Sequence, residues 1–216
     1  MVCSIGGQFY LRDMGIVHNS RIKLDNKNEV QIQWGSIVDL GKVVHYLFDK
    51  VVHVAKPSQV ANDNFYVFGL KHEYEVDADD FPYIRARPVW VSADENEENI
   101  QNEIHVNADG SKNNFSLGRS NKRDIQIKLK AVSSNHCGIH YTPEKGWTIT
   151  EGGKDKTSSN GTYIFLKTQK QMKDHIPSNL ISIHNDMIIS FVNYELRVKL
   201  ENKSADEMTK QQEAQS

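Results

Sequence analysis

From residue 115 to 166 the chain runs in short stretches where apolar and polar residues alternate. Three polar signatures break them: Gly118-Arg119, Ser133-Ser134-Asn135-His136 and Ser158-Ser159-Asn160-Gly161-Thr162. Alternation with period two is the mark of a half-buried strand, and the polar breaks are where turns fall. Phe115 and Leu117 thus lie on a strand ending at Gly118. Ile125, Ile127 and Leu129 share one face of the next, and 146–151 forms a strand bearing Trp147. Upstream, Ile104 and Val106 alternate with polar neighbours, and 85–92 reads as an edge strand because Pro88 has no N–H for a ladder. Residues 64–68 and 72–76 pair as a hairpin through Gly69. Downstream, 195–200 is the last strand, with Leu196, Val198 and Leu200 inward. Beyond it the tail is polar, and Ser204 with Glu207 has capping-box spacing.

In a pair of stacked sheets, the three signature loops can converge at one end. Together they offer a guanidinium fork, hydroxyls, an amide and turn N–H groups, a set suited to a phosphate ester. The order Gly-Arg, Ser-x-x-His, a tryptophan strand and Ser-x-Asn-Gly-Thr resembles the forkhead-associated (FHA) domain, from about residue 83 to 200. The resemblance implies an all-β, two-sheet β-sandwich of the FHA and SMAD-FHA-like type. It also implies a phosphothreonine-peptide-binding module that recruits phosphorylated proteins.

Carried onto this chain, the resemblance places Arg119 beside the phosphate and has the Ser133, Ser134 and Ser159 hydroxyls donate to its oxygens. Asn160 holds the ligand backbone through its amide. Gly118, His136, Gly161 and Thr162 are structural: Gly161 shapes the turn, and His136 braces the loop. Many members carry arginine directly after the binding serine, where this chain has Ser134. Lys122, Arg123, Lys154 and Lys156 are the nearby cations in sequence that can restore positive potential.

The first fifty residues repeat part of this pattern. Residues 8–13 run like 146–151, an aromatic strand ending at an acid, and 30–40 run like 179–189, two apolar strands around a turn at Gly35 or Asn185. No Gly-Arg or Ser-x-x-His precedes Gln8, and His18-Asn19-Ser20 stands where Asn-Gly-Thr belongs. The expected organisation is a partial, degenerate FHA-like repeat over 1–56, a hairpin and acidic connection over 57–82, the FHA domain over 83–200 and a polar tail over 201–216. The unfinished half is either completed by later strands or belongs to a longer protein, and the second is the expectation. The acidic run 94–98 is a solvated loop.

A sandwich needs roughly 100 residues, about half of the 216 present. A formal net charge of −2 gives no reason to expect nucleic acid as partner. No apolar run approaches the ~20 residues of a membrane span, and the first residues lack the pattern of a signal peptide. The expected location is intracellular, cytoplasmic or nuclear. The two cysteines, Cys3 and Cys137, are too few for a disulfide framework. His136 and His140 stand roughly 13 Å apart on an extended strand, with Cys137 on the other face, so neither metal nor cofactor is expected. The histidines have no Ser/His/Asp context and no glycine-rich loop opens a helix, which argues against an enzyme. The alternative to a peptide reader is a scaffold of paired FHA-like sandwiches with a vestigial phosphate site.

Overall fold

The computed structural model describes residues 1–15, 19–52, 81–95, 97–152, 157–192 and 194–201. In chain order the strands are β1 (Val2–Ile5), β2 (Gln8–Leu11), β3 (Arg21–Lys23), β4 (Val30–Gln31), β5 (Ile37–Leu40), β6 (Val44–Val51), β7 (Tyr83–Val91), β8 (Ile104–Asn107), β9 (Asn114–Gly118), β10 (Ile125–Gln126), β11 (Cys137–Thr142), β12 (Gly146–Glu151) and β13 (Thr162–Phe165). A short helix, α1 (Gln169–Lys173), precedes β14 (Ile181–Ser182), β15 (Ile188–Phe191) and β16 (Tyr194–Arg197). The protein is nearly all β, as an FHA sandwich requires. None of its described helices is long and apolar enough to cross a membrane.

The strands form a five-stranded sheet, β10-β9-β11-β12-β4, an eight-stranded sheet, β16-β15-β3-β13-β5-β6-β7-β8, and a small sheet, β1-β2-β14. Leu117, Ile139, Trp147 and Ile149 of the five-stranded sheet share one apolar cluster with Tyr46, Phe48, Ile84, Ile104 and Ile164 of the eight-stranded one. Trp147 is fully buried between Phe115 and Tyr141, and its Nε1–H donates to the Val52 carbonyl at 3.1 Å. A buried indole removes roughly 150–250 Å² from water, which at about 25 cal/mol per Å² is worth about 4–6 kcal/mol.

The N-terminal strands are not a separate unit, which corrects the organisation drawn from the sequence. β4 runs along β12, with Val30 opposite Ile149 and Gln31 opposite Thr148. β5 lies beside β13, and β6 carries β7. Residues 30–51 thereby finish the sandwich that 83–165 begins. Strand partners are chosen by long-range packing, which local patterning does not encode.

One pattern of strand pairing occurs twice. Leu11 pairs with Ile181 and Tyr10 with Ser182, as Ile149 pairs with Val30 and Thr148 with Gln31. Val30 therefore corresponds to Ile181, two residues on from the sequence alignment. A shift of two leaves every side chain on its face, so alternation could not detect it. The counterpart of Gly35 (φ 81°) is accordingly Asp186 (φ 64°), not Asn185.

Other expectations change in detail. β7 is flanked by both β6 and β8, so it is not an edge strand. β8 covers only Tyr83–Ala86, leaving Pro88 where no ladder N–H is needed on that side. On β16, Leu196 is exposed and not inward, as is Leu200 beyond it. The expected hairpin over 64–68 and 72–76, the acids 77–80 and the Ser204–Glu207 turn lie outside the described residues. The sequence reading missed α1, although Thr168 and Gln171 form a capping box at its start.

Candidate functional site

β9 delivers Gly118 and Arg119 against the loop before β11. A Cβ on Gly118 would stand 2.5 Å from the Ser134 carbonyl oxygen and 2.9 Å from that of Ser133, so only glycine allows this approach. The Arg119 N–H donates to the Ser133 carbonyl at 2.8 Å. The Arg119 side chain is exposed, and among the described residues no carboxylate pairs with it.

His136 is buried, and its Nδ1 accepts the Ser133 N–H at 3.0 Å. Accepting there puts the ring proton on Nε2. Burial holds the imidazole below its ordinary pKa, against the opposing pull of Glu151 and the Gly161 backbone. The ring is therefore a neutral brace.

The loop before β13 is built on a buried carboxylate. Glu151 accepts the Ser158 N–H at 2.6 Å and the Thr162 N–H at 2.8 Å. The Ser158 hydroxyl accepts the Gly161 N–H at 2.9 Å, closing a turn in which Gly161 takes φ +81°. Thr162 is buried at the start of β13 opposite Leu40.

Two hydrogen bonds tie the loops together. The Ser159 N–H donates to the Ser133 Oγ at 3.0 Å, and the Asn160 Nδ2 donates to the Ala131 carbonyl at 2.9 Å. Ser133 accepts with its oxygen, so its O–H is left to donate. Asn160 spends one of its two amide hydrogens within the rim, which leaves its Oδ1 to meet a ligand N–H. Ser134, Ser159 and Asn160 are exposed and Ser133 is half-buried. Arg119, Ser133, Ser134, Ser159 and Asn160 thus lie on loops joined at one end of the sandwich.

Residues 115–192 match the family model of the FHA domain. The chain carries an FHA domain. FHA domains are phosphopeptide-binding modules of protein–protein interaction, so phosphoproteins are the class of partner implied. Comparison with curated proteins and with solved structures gave no match.

The FHA loops also receive residues that sequence reasoning missed. Gly41, in the β5–β6 turn, donates its N–H to the Gly161 carbonyl at 3.0 Å, and a Cβ on it would lie 2.8 Å from the Ala131 carbonyl oxygen. The Lys23 side chain packs against Gly161, with Nζ 3.3 Å from where a Cβ would stand. Both come from residues 21–51, and the only local signal was the Gly41-Lys42 turn. Of the cations expected nearby, Lys122 is exposed, and the half-buried Arg123 places Nη1 3.4 Å from the Asn135 Oδ1. Lys154 and Lys156 lie outside the described residues.

Proposed function

We propose that this FHA domain binds phosphothreonine peptides through Arg119, Ser133, Ser134, Ser159 and Asn160, and so recruits phosphorylated partners in intracellular signalling. The observation that carries the reading is the bond from the Ser159 N–H to the Ser133 Oγ, which with the Arg119-to-Ser133 backbone bond joins all three signature loops into one polar rim. A phosphothreonine brings about −1.5 to −2 charges and three acceptor oxygens. Each charge-assisted bond contributes roughly 1.5–3 kcal/mol net, enough for two or three of them to dominate the affinity of an extended peptide. Lys23, seated beside Gly161, supplies cationic potential at a rim that lacks the family's second arginine.

The test is fluorescence-anisotropy binding to an oriented phosphothreonine library, with the wild-type chain and Arg119→Ala side by side. Binding should require the phosphate, and Arg119→Ala should weaken it roughly ten- to a hundredfold, the equivalent of one charge-assisted bond. Equal binding of phosphorylated and unphosphorylated peptides overturns the proposal. That result would favour the scaffold reading, which the pairing of the two repeats in one set of sheets also supports.

A further inference from the structure

The phosphate rim continues past Gly161. The Gly161 carbonyl accepts the Gly41 N–H at 3.0 Å, which brings the β5–β6 turn to the rim, and β3 runs beside β13 with Lys23 opposite Tyr163. The turn and β3 both lie outside the stretch that matches the family model, and each carries a lysine. Lys23 Cε stands 2.7 Å from where a Cβ on Gly161 would be, so the glycine opens the space through which this lysine reaches the rim. Lys42 follows Gly41 at φ +63°, a region that glycine enters freely and other residues seldom do. The turn holds it there, because the Lys42 N–H donates to the Asp39 Oδ1 at 2.9 Å.

The charges around Tyr163 do not balance. Arg21, Lys23 and Lys42 place their cationic groups 4.7, 5.9 and 5.3 Å from the centroid of its ring. Asp39 pairs with Arg21; burial pushes its pKa up to about 6, so it is still a carboxylate at neutral pH. Glu195 accepts from Lys42 at 3.1 Å and from the Tyr163 hydroxyl at 2.8 Å. His45, 3.8 Å from Asp39, adds no charge, because burial and then Arg21 hold its pKa near 4. Among the described residues no carboxylate forms an ion pair with Lys23, and a ring face attracts a cation without neutralising it. One positive charge is therefore uncompensated, and it lies at the Gly161 end of the rim. The Lys42–Glu195 pair beside it has side chains 50 % and 39 % exposed, and a pair so open to water exchanges readily for another carboxylate.

We propose that Lys23 and Lys42 form an anion subsite beside the phosphothreonine site, and that the preferred peptide carries an acidic residue on the flank that passes Gly161. The subsite rests on the phosphothreonine reading of the rim. With the ligand backbone held at Asn160, the residues adjoining on one flank meet the two ammonium groups, whereas the other flank does not.

The probes are phosphothreonine peptides with alanine flanks, or with glutamates over about four residues either before or after the phosphothreonine, titrated by fluorescence anisotropy against the full-length chain. Glutamates on one flank only should tighten binding about five- to tenfold, and raising the salt to about 0.5 M should remove most of that gain. Lys23→Gln combined with Lys42→Gln should bring the ratio of acidic to alanine-flanked affinity back to about one. Glu195→Gln, which releases Lys42 and keeps an oxygen for the Tyr163 hydroxyl, should raise that ratio. Equal affinity for the acidic and alanine-flanked phosphopeptides overturns the subsite and leaves the phosphothreonine site standing. An equal gain from both flanks overturns it as well, because it reports the overall field of the protein. If no phosphorylated peptide binds better than its unphosphorylated twin, the phosphothreonine reading falls and the subsite with it.

Discussion

Replacing Gly118 by alanine should damage both the stability of the sandwich and the phosphate rim. The new Cβ would meet three backbone atoms, the Ser134 oxygen at 2.5 Å, the Ser134 carbonyl carbon at 2.8 Å and the Ser133 oxygen at 2.9 Å. Backbone atoms have no rotamer to swing away, so the 133–134 segment must retreat by about 0.9 Å to reach ordinary contact. That retreat pulls on the Arg119-to-Ser133 hydrogen bond, 2.8 Å in the native geometry. Overpacking of this kind costs about 1–3 kcal/mol, or roughly 2–12 °C in Tm for a domain of this size. Binding groups must be held within about 0.5 Å, so the same displacement should remove one phosphate bond and weaken a phosphothreonine peptide roughly ten- to a hundredfold. Circular-dichroism melting and fluorescence anisotropy on one preparation measure both effects. Wild-type Tm together with wild-type affinity would refute the reasoning, because the loop would then have been free to move at no cost.

Glu151→Gln keeps one acceptor oxygen for two buried N–H groups; one donor loses its partner, and chemical denaturation should show a loss of about 1–3 kcal/mol. Thr168→Ala removes the hydroxyl that accepts the Gln171 N–H in the capping box on α1, while the residue-168 N–H can still donate to the Gln171 side chain; it should cost about 1 kcal/mol by the same measurement, without changing peptide affinity. His136 has a folded pKa below its ordinary value of 6.5, so the unfolded chain takes up its proton first. Its stabilising contribution is complete above pH 6.5 and declines as pH falls from there toward the depressed folded value. NMR of the imidazole should accordingly find it titrating below 6.5; a half-titrated ring at 6.5 or above would contradict the brace.

The sequence alone determined the local elements and the chemistry of the loops. Alternation marked β9, β11 and β12, because period two is written in adjacent residues. The Gly118-Arg119 and Asn160-Gly161 pairs marked turns, because their backbone demands are local, and the order of the three signatures was enough to place the FHA family. The helix α1 was written just as locally in Thr168 and Gln171, but its five residues are too few for a periodic stripe to stand out. Only the tertiary structure decided which strands lie together. β6 and β16 carry the same alternating apolar pattern, yet Tyr46 is buried and Leu196 is exposed, since β7 lies beside the first and no described strand lies on the outer side of the second. Nor could the sequence place Gly41 and Lys23 at a rim more than a hundred residues away. Hydrogen bonds between strands are made by backbone groups that every residue shares, so partners follow from which pairing buries the larger apolar surface, a comparison that exists only once the whole chain is folded.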